Sequence, residues 1–387
     1  MAIKDLEGSL NVVEAARIRI QNIFDTGLEI EMSTSGGKDS ICMMHLVYTL
    51  IREGKIKAKQ LVVRFIDEEA IFDDVERIVM DWRKRFLKAG VRFEWFCVQT
   101  VHFNCLRTLE NNDSFVLWDE WERDNWVRPM PSFAIKNHPL LRERVDSYQD
   151  FLARLRRRTG ALTMTGVRSA ESIQRRNNIA KIASSKIDGQ IASNTMTHPI
   201  YDWRDDDVWL YIKDNKLDFP ETYMYLYQVG AKRSEMRISQ FFSVDTAKTL
   251  VKLAEIYPDL MERVERREPG AYLASMYWDS EMFRRSTRGR SRLPSEQGRD
   301  WKKEVLDMLK DKNSPYAQSA SKRKLFDMAR NFVVKMGMCM IANHYKTLRN
   351  ILIAGDPKKR AIRALYISVA TGHAQRGRNE FGIRKQK

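Results

Sequence analysis

Apolar Leu28, Ile30 and Met32 alternate with polar neighbours, the period of a strand. Ile41, Met44, Leu46, Val47, Leu50 and Ile51 then recur at helical spacing until Gly54. The same switching of period continues. Leu61–Ile66 predicts a second strand, Val75, Ile78, Val79 and Trp82 a helix, residues 91–98 a third strand and 161–165 a fourth. Asn11 with Glu14 reads as a capping box for a helix to about Phe24, and Gly27 as its stop. Strands alternating with helices predict an α/β fold: a doubly wound, mostly parallel sheet that binds ligands at the C-terminal ends of its strands. Glu29 and Glu31 fit poorly in a strand that such a sheet buries on both faces. After about residue 216 the pattern becomes largely helical. The expected division is a nucleotide-binding α/β domain over 1–215, a helical extension over 216–280 and a helical C-terminal region over 281–387.

The junction between the first strand and its helix reads Ser33-Thr34-Ser35-Gly36-Gly37-Lys38-Asp39-Ser40. Glycines let the backbone approach a ligand, the first helical N–H groups point at it, and the helix dipole favours negative charge. Lys38 adds a cation; Ser35 and Ser40 add hydroxyls. The spacing is not the Walker pattern, because Met32 and Asp39 stand where that loop needs a glycine and a Ser or Thr. A solvated Ser/Gly turn is the plainer alternative. Asp67-Glu68-Glu69 ends the second strand. Just past the fourth comes Gly166-Val167-Arg168-Ser169-Ala170-Glu171-Ser172, with Arg175 and Arg176. Arginines at a strand end clamp phosphate or sulfate through forked hydrogen bonds. His198-Pro199-Ile200-Tyr201-Asp202-Trp203 and Asp207-Val208-Trp209 follow. Between the third and fourth strands lies an aromatic insertion with Trp118, Trp121 and Trp126, expected either to lid the site or to pack on the sheet.

The S-x-G-x-D-S element resembles the PP-loop of the adenine-nucleotide alpha-hydrolase superfamily. Taken in order, the loop, the acidic strand end, G-x-R-x-x-E-S, P-I-x-D-W and D-V-W resemble the phosphoadenosine phosphosulfate (PAPS) reductase family over roughly residues 28–215. Leu226-Tyr227-Gln228-Val229-Gly230 and Met236-Arg237-Ile238-Ser239-Gln240 are similar to a branch frequent in phages and mobile elements, which extends the likeness to about residue 280. The resemblance implies that Ser35, Gly36, Gly37, Lys38, Asp39 and Ser40 hold the phosphates of ATP or PAPS with Mg2+. It puts Asp67 beside the adenosine and Arg168 and Arg175 on the distal anionic group. Lys38, Asp39 and Arg168 become the catalytic candidates, and Asp202 a brace. The reductases also use a cysteine in E-C-G-[LIV]-H, since attack on sulfur needs a thiolate. That motif is missing, and Cys339 lies in the apolar run Met338-Cys339-Met340. No iron–sulfur cluster is expected.

Charge changes the picture at the other end. The chain of 387 residues carries a net +16, yet residues 281–387 hold 26 Lys+Arg against 9 Asp+Glu, leaving 41 against 42 in the rest. Such asymmetry suggests a DNA- or RNA-facing region, with Arg284, Arg285, Arg288, Arg290 and Arg292 as its densest run; a solvated basic face is the alternative. Asp356-Pro357 is expected to start a helix whose Lys358, Lys359, Arg360 and Arg363 oppose its dipole, which favours an anion-binding role. Cys42, Cys97, Cys105 and Cys339 form no C-x-x-C pair, arguing against a disulfide framework or zinc ribbon. No apolar run reaches membrane-spanning length and residues 1–7 lack a signal-peptide core, so a cytoplasmic location without membrane contact is expected. The leading expectation is an ATP-using enzyme acting at the α-phosphate, by adenylylation with pyrophosphate release, on or near nucleic acid. Thiol-dependent PAPS reduction and a nucleotide-sensing DNA-associated regulator are the alternatives, with a protein partner or homo-oligomer open.

Overall fold

The computed structural model describes residues 11–104, 114–171, 175–176, 191–193, 196–228, 230, 236, 238, 254–277, 299–311, 320–356 and 359–370. A six-stranded sheet forms its centre, in the order β3-β2-β1-β6-β8-β7. The strands are β1 (Ile30–Thr34), β2 (Leu61–Ile66), β3 (Arg92–Phe96), β6 (Leu162–Met164), β7 (Ile191–Ser193) and β8 (Met196–Thr197). β1 pairs in parallel with β2 on one side and β6 on the other; β6 continues in parallel to β8, and only β7 runs antiparallel. A separate antiparallel pair, β4 (Val101–Phe103) and β5 (Ser114–Val116), belongs to the insertion. The α/β expectation holds, and β7 and β8 are strands that periodicity did not reveal because each is too short to display one.

Helix α1 (Val12–Asp25) starts with the predicted capping box: the Asn11 side chain accepts from the N–H groups of Val13 and Glu14, and Glu14 accepts from that of Asn11. Helix α2 (Lys38–Arg52) follows β1 and packs against α1 and, on its other flank, against α5 (Asp205–Asp214). Helix α3 (Asp73–Lys88) buries Val75, Ile78, Val79, Trp82 and Phe86, one apolar stripe at helical spacing. Helix α4 (Tyr148–Thr159) returns the insertion to β6, capped by Ser147 and ended by Gly160 in the left-handed region. The main apolar cluster extends past residue 215 through Leu226, Leu260, Met261, Val264 and Ala271, so the 216–280 extension shares the core of the sheet. A second cluster, from Val305 to Val369, is built by α9 (Trp301–Lys310), α10 (Ala320–Met336), α11 (Ala342–Ala354) and the helical residues 360–370; α6 (Thr222–Gln228), α7 (Pro258–Arg267) and α8 (Gly270–Tyr277) belong to the extension. Among the described residues no helix is long and apolar enough to cross a membrane.

The misfit of Glu31 is resolved on the neighbouring strand. Glu31 is fully buried, and Arg64 of β2 bonds to it and, through Nε at 2.6 Å, to Glu94 of β3. One guanidinium thus serves two carboxylates across three strands. Burial pushes the Glu31 pKa up and Arg64 works against that rise. Glu29 pairs through one oxygen with Arg92 of β3 at 3.2 Å.

Removing one partner of a buried ion pair leaves an uncompensated charge and costs about 3–5 kcal/mol. Arg64→Met is therefore expected to lower the urea-unfolding free energy by roughly that amount. Adding Glu31→Gln should recover part of the loss. Equal stability of Arg64→Met and wild type would show that the sheet does not depend on this pair.

Candidate nucleotide site at the strand ends

The loop after β1 turns through Gly36, whose φ of +72° lies in the left-handed region. A Cβ there would also meet Val75 Cγ1 at 2.7 Å and Val79 Cγ2 at 2.8 Å, so Gly36 is required twice: by the turn and by contact with α3. Gly37 is the N-cap of α2, and the Ser40 hydroxyl closes the turn on the Gly37 carbonyl at 2.9 Å. The loop amides are loosely engaged. Ser35 N–H donates to Ser40 Oγ and Gly37 N–H to Ser35 Oγ, each at 3.4 Å, and Lys38 N–H donates to the Tyr223 hydroxyl at 3.2 Å. Gly166, at the end of β6, lies close under the same helix start, where a Cβ would come within 3.1 Å of the Asp39 carbonyl oxygen.

Above this turn four charged side chains meet. Arg168 donates through Nε to Asp39 at 2.5 Å and through Nη2 to Asp205 at 2.8 Å, and Lys38 Nζ stands 3.4 Å from Asp39 and 3.6 Å from Asp205. Lys38 and Arg168 are both buried. Burial disfavours the Asp205 carboxylate, but Lys38 and Arg168 outweigh it and hold its pKa below the usual range. Two cations and two carboxylates leave the cluster near neutral, with each cation already facing an acceptor that an anionic ligand could replace.

The loop sequence and Arg168 thus come together. Arg175 does not join them: it bonds to Glu171, whose other oxygen accepts the Arg168 N–H at 3.0 Å. Asp202 braces, as expected, by taking both terminal nitrogens of buried Arg19 at 2.7–2.8 Å. Asp67, expected beside the adenosine, has its carboxylate engaged within the protein. It is 1% exposed, and its carboxylate is occupied by Arg128, Trp95 Nε1 at 2.8 Å, Cys97 and the Glu69 N–H. Strand direction explains this, since the carboxylate faces the insertion. Trp118 also bonds to the Asp67 carbonyl oxygen, so the insertion packs on the end of β2.

Beside the loop a cavity of about 210 Å3 opens over the ends of β1 and β2, lined among others by Ser33, Ser35, Phe65, Glu68, Phe72 and Tyr148. On the opposite flank, at the ends of β6 and β8, the Thr165 hydroxyl meets His198 Nδ1 at 2.7 Å; burial and the charge of Arg175 lower the His198 pKa to about 4. Three contributors had escaped sequence reasoning. Asp205 is one of three consecutive acids at a helix start, Tyr223 carries no motif, and Glu68 stands in a run of three acids. The run Asp205-Asp206-Asp207 directly after the P-I-x-D-W element was the one usable signal.

The phosphoadenosine phosphosulfate reductase domain matches residues 29–255, well over half of the chain. This chain belongs to that family. Among curated proteins, "Uncharacterized protein YbdN" of Escherichia coli (strain K12) is 26% identical over 329 residues, covering 80% of this chain and 77% of its own. Among solved structures, a phosphoadenylyl-sulfate reductase from Candida auris in a phosphate complex aligns with 14% identity and a TM-score of 0.33, covering 59% of this chain and 89% of its own. The U34-tRNA thiolase NcsA of Methanococcus maripaludis, with its [4Fe-4S] cluster, aligns with 13% identity and a TM-score of 0.32 over 69% of this chain and 80% of its own.

In this PAPS reductase family member the turn geometry makes its own test. Gly36→Ala should cost about 2–4 kcal/mol, combining left-handed strain with overpacking against Val75 and Val79. Chemical denaturation measures it. Measured in a Val75→Ala, Val79→Ala background, the cost of Gly36→Ala should fall to its backbone-strain share; no cost there would mean that strain contributes nothing.

Proposed function

We propose that this chain is an ATP-using enzyme that acts at the nucleotide's α-phosphate, with residues 33–40 holding the phosphates. The observation that carries this reading is the meeting of Lys38, Asp39, Arg168 and Asp205 over the first turn of α2, beside the cavity at the ends of β1 and β2. Adenosine enters the cavity, and the phosphates lie across the loop amides. Their present bonds of 3.2–3.4 Å are long, and phosphate oxygens offer shorter, charge-assisted replacements. An acceptor bonds to the α-phosphorus as the bond to pyrophosphate breaks, and Lys38 and Arg168 neutralise the charge that develops on the leaving group.

Asp39 and Asp205 would be the magnesium ligands. Both present hard carboxylate oxygens to the same guanidinium, and Mg2+ characteristically takes one or two carboxylates and completes its shell with phosphate and water. The ion would supply further neutralisation at the pyrophosphate. Thiol chemistry has less support: Cys42 and Cys97 are buried and burial pushes both thiols up, while Cys105 lies outside the described residues.

The acceptor is proposed to lie on or near nucleic acid, a reading supported by the basic excess of residues 281–387. The run from Arg284 to Arg292 lies outside the described residues.

Lys38→Ala should weaken ATP binding and slow magnesium-dependent pyrophosphate release by roughly ten- to a hundredfold, the worth of one charge-assisted phosphate contact. Calorimetry and a pyrophosphate assay, normalised to folded protein, read both. Unchanged values would remove the phosphate-loop assignment.

For nucleic acid, four to six phosphate contacts predict a log–log salt slope of roughly −4 to −5 on duplex DNA. Replacing Arg284, Arg285, Arg288, Arg290 and Arg292 together should flatten that slope and leave ATP affinity unchanged. A chain that binds neither DNA nor RNA at low salt would reduce the basic excess to a solvated face.

A further inference from the structure

The cavity beside the loop is electrostatically one-sided. Among its described lining residues the only cation is Arg64, which is 2% exposed and already shared between Glu31 and Glu94. Glu68 contributes a carboxylate to the same lining. It is the residue after Asp67, and since Asp67 is consumed by Arg128 and Trp95, Glu68 is the acid that the end of β2 offers to the cavity. Its side chain is 21% exposed, and an Oε stands 3.4 Å from His102 Nε2. His102 in turn stacks on Tyr148, ring centroids 5.8 Å apart and 19° from parallel, and Tyr148 lines the cavity too. Burial and the negative charge of Glu68 both push the Tyr148 hydroxyl up. Arg360 acts on Tyr148 in the opposite sense but is not a lining residue.

On the proposed placement of the phosphates at Lys38 and Arg168, the sugar of a bound adenosine would fall in the cavity with Glu68. In Rossmann dinucleotide sites a carboxylate beyond the glycine loop accepts from a free ribose hydroxyl, whereas a phosphate there calls for an arginine, and the same chemistry applies to Glu68 at the end of β2. We propose that Glu68 reads the ribose and selects adenosine nucleotides with free ribose hydroxyls, ATP in particular, against 3′-phosphorylated ones such as phosphoadenosine phosphosulfate. This rests on the loop 33–40 being the phosphate site. A 3′-phosphate would bring close to two negative charges against Glu68, with no uncommitted cation among the described lining residues to meet them. The substrate for which the family is named would then be the nucleotide that this member discriminates against.

Equilibrium titration of the full chain with ATP, 3′-deoxy-ATP and phosphoadenosine phosphosulfate tests this in wild type, Glu68→Ala, Glu68→Lys and Lys38→Ala. Wild type should bind ATP at least about tenfold more tightly than either other nucleotide, the worth of one hydrogen bond to a charged group. Glu68→Ala should bring all three within about threefold, and Glu68→Lys should turn the preference toward phosphoadenosine phosphosulfate. Comparable wild-type affinity for ATP and phosphoadenosine phosphosulfate would overturn the proposal, as would a preference that Glu68→Ala leaves unchanged. Lys38→Ala separates the two levels. If it weakens every nucleotide while the Glu68 variants leave the ratios fixed, only the ribose reading fails. If it weakens none, the phosphate site itself fails and the ribose reading falls with it.

Discussion

Arg168 leaves the end of β6 and meets Asp39 at the start of α2 and Asp205 at the start of α5, so a single guanidinium fixes three strand-to-helix connections relative to one another. It is buried, and its Nη1 also reaches the Trp203 carbonyl oxygen at 3.5 Å. Such a group is stable only with its charge matched, and the two aspartates supply the match. The same matching prepares an exchange. In the proposed function, an anion arriving at the loop would compete with Asp39 and Asp205 for cations already desolvated and oriented. The loop below contributes shape through Gly36 and direction through the α2 dipole; Arg168 contributes the coupling between elements that the loop alone lacks.

Much of this was legible from spacing. The Gly-Gly turn could be read because its conformational need is local: a glycine in the left-handed region between a strand and a helix leaves its mark on the residues that form it. Arg168 was legible because it follows a recognisable strand. Asp205 and Tyr223 were not, because their roles are set by approach in space. Tyr223 reaches Lys38 N–H from 185 residues away, and no local periodicity encodes that. The surroundings of Asp67 were illegible for the same reason. Sequence marks the end of β2 as acidic, but which of three consecutive acids turns to the cavity depends on Arg128 and Trp95, one from the insertion and one from β3.

Glu31 is the converse case, a residue whose type contradicted its position until its partner was placed. Polar residues in a sheet buried on both faces demand compensation from the adjacent strand, and register alone decides whether it arrives. Ser33 of β1 pairs with Arg64 of β2, and Arg64 with Glu94 of β3, so the guanidinium sits between two acidic strands. Because Arg64 also lines the cavity, the device that balances the sheet removes a free cation from the nucleotide side.

The C-terminal helices attach to the wall of that same cavity. Tyr148 opens α4 and lines the cavity; Asp150, two residues on, accepts from Lys324 at 3.0 Å and Lys359 at 3.2 Å. Lys359 had been expected at an anion-facing helix start. Instead it is buried against a carboxylate of its own chain, with φ of +51° in the region L-residues disfavour. Burial alone would raise the Asp150 pKa, yet the bonds from Lys324 and Ser147 and the two lysine charges hold it at about 2. A carboxylate whose pKa is depressed on folding stabilises the fold above its unfolded value near 4 and loses that contribution as the pH falls toward 2. At neutral pH the Asp150 carboxylate is therefore ionised. Two of the basic region's lysines are thus committed to Asp150 of α4, two residues from the Tyr148 that lines the cavity.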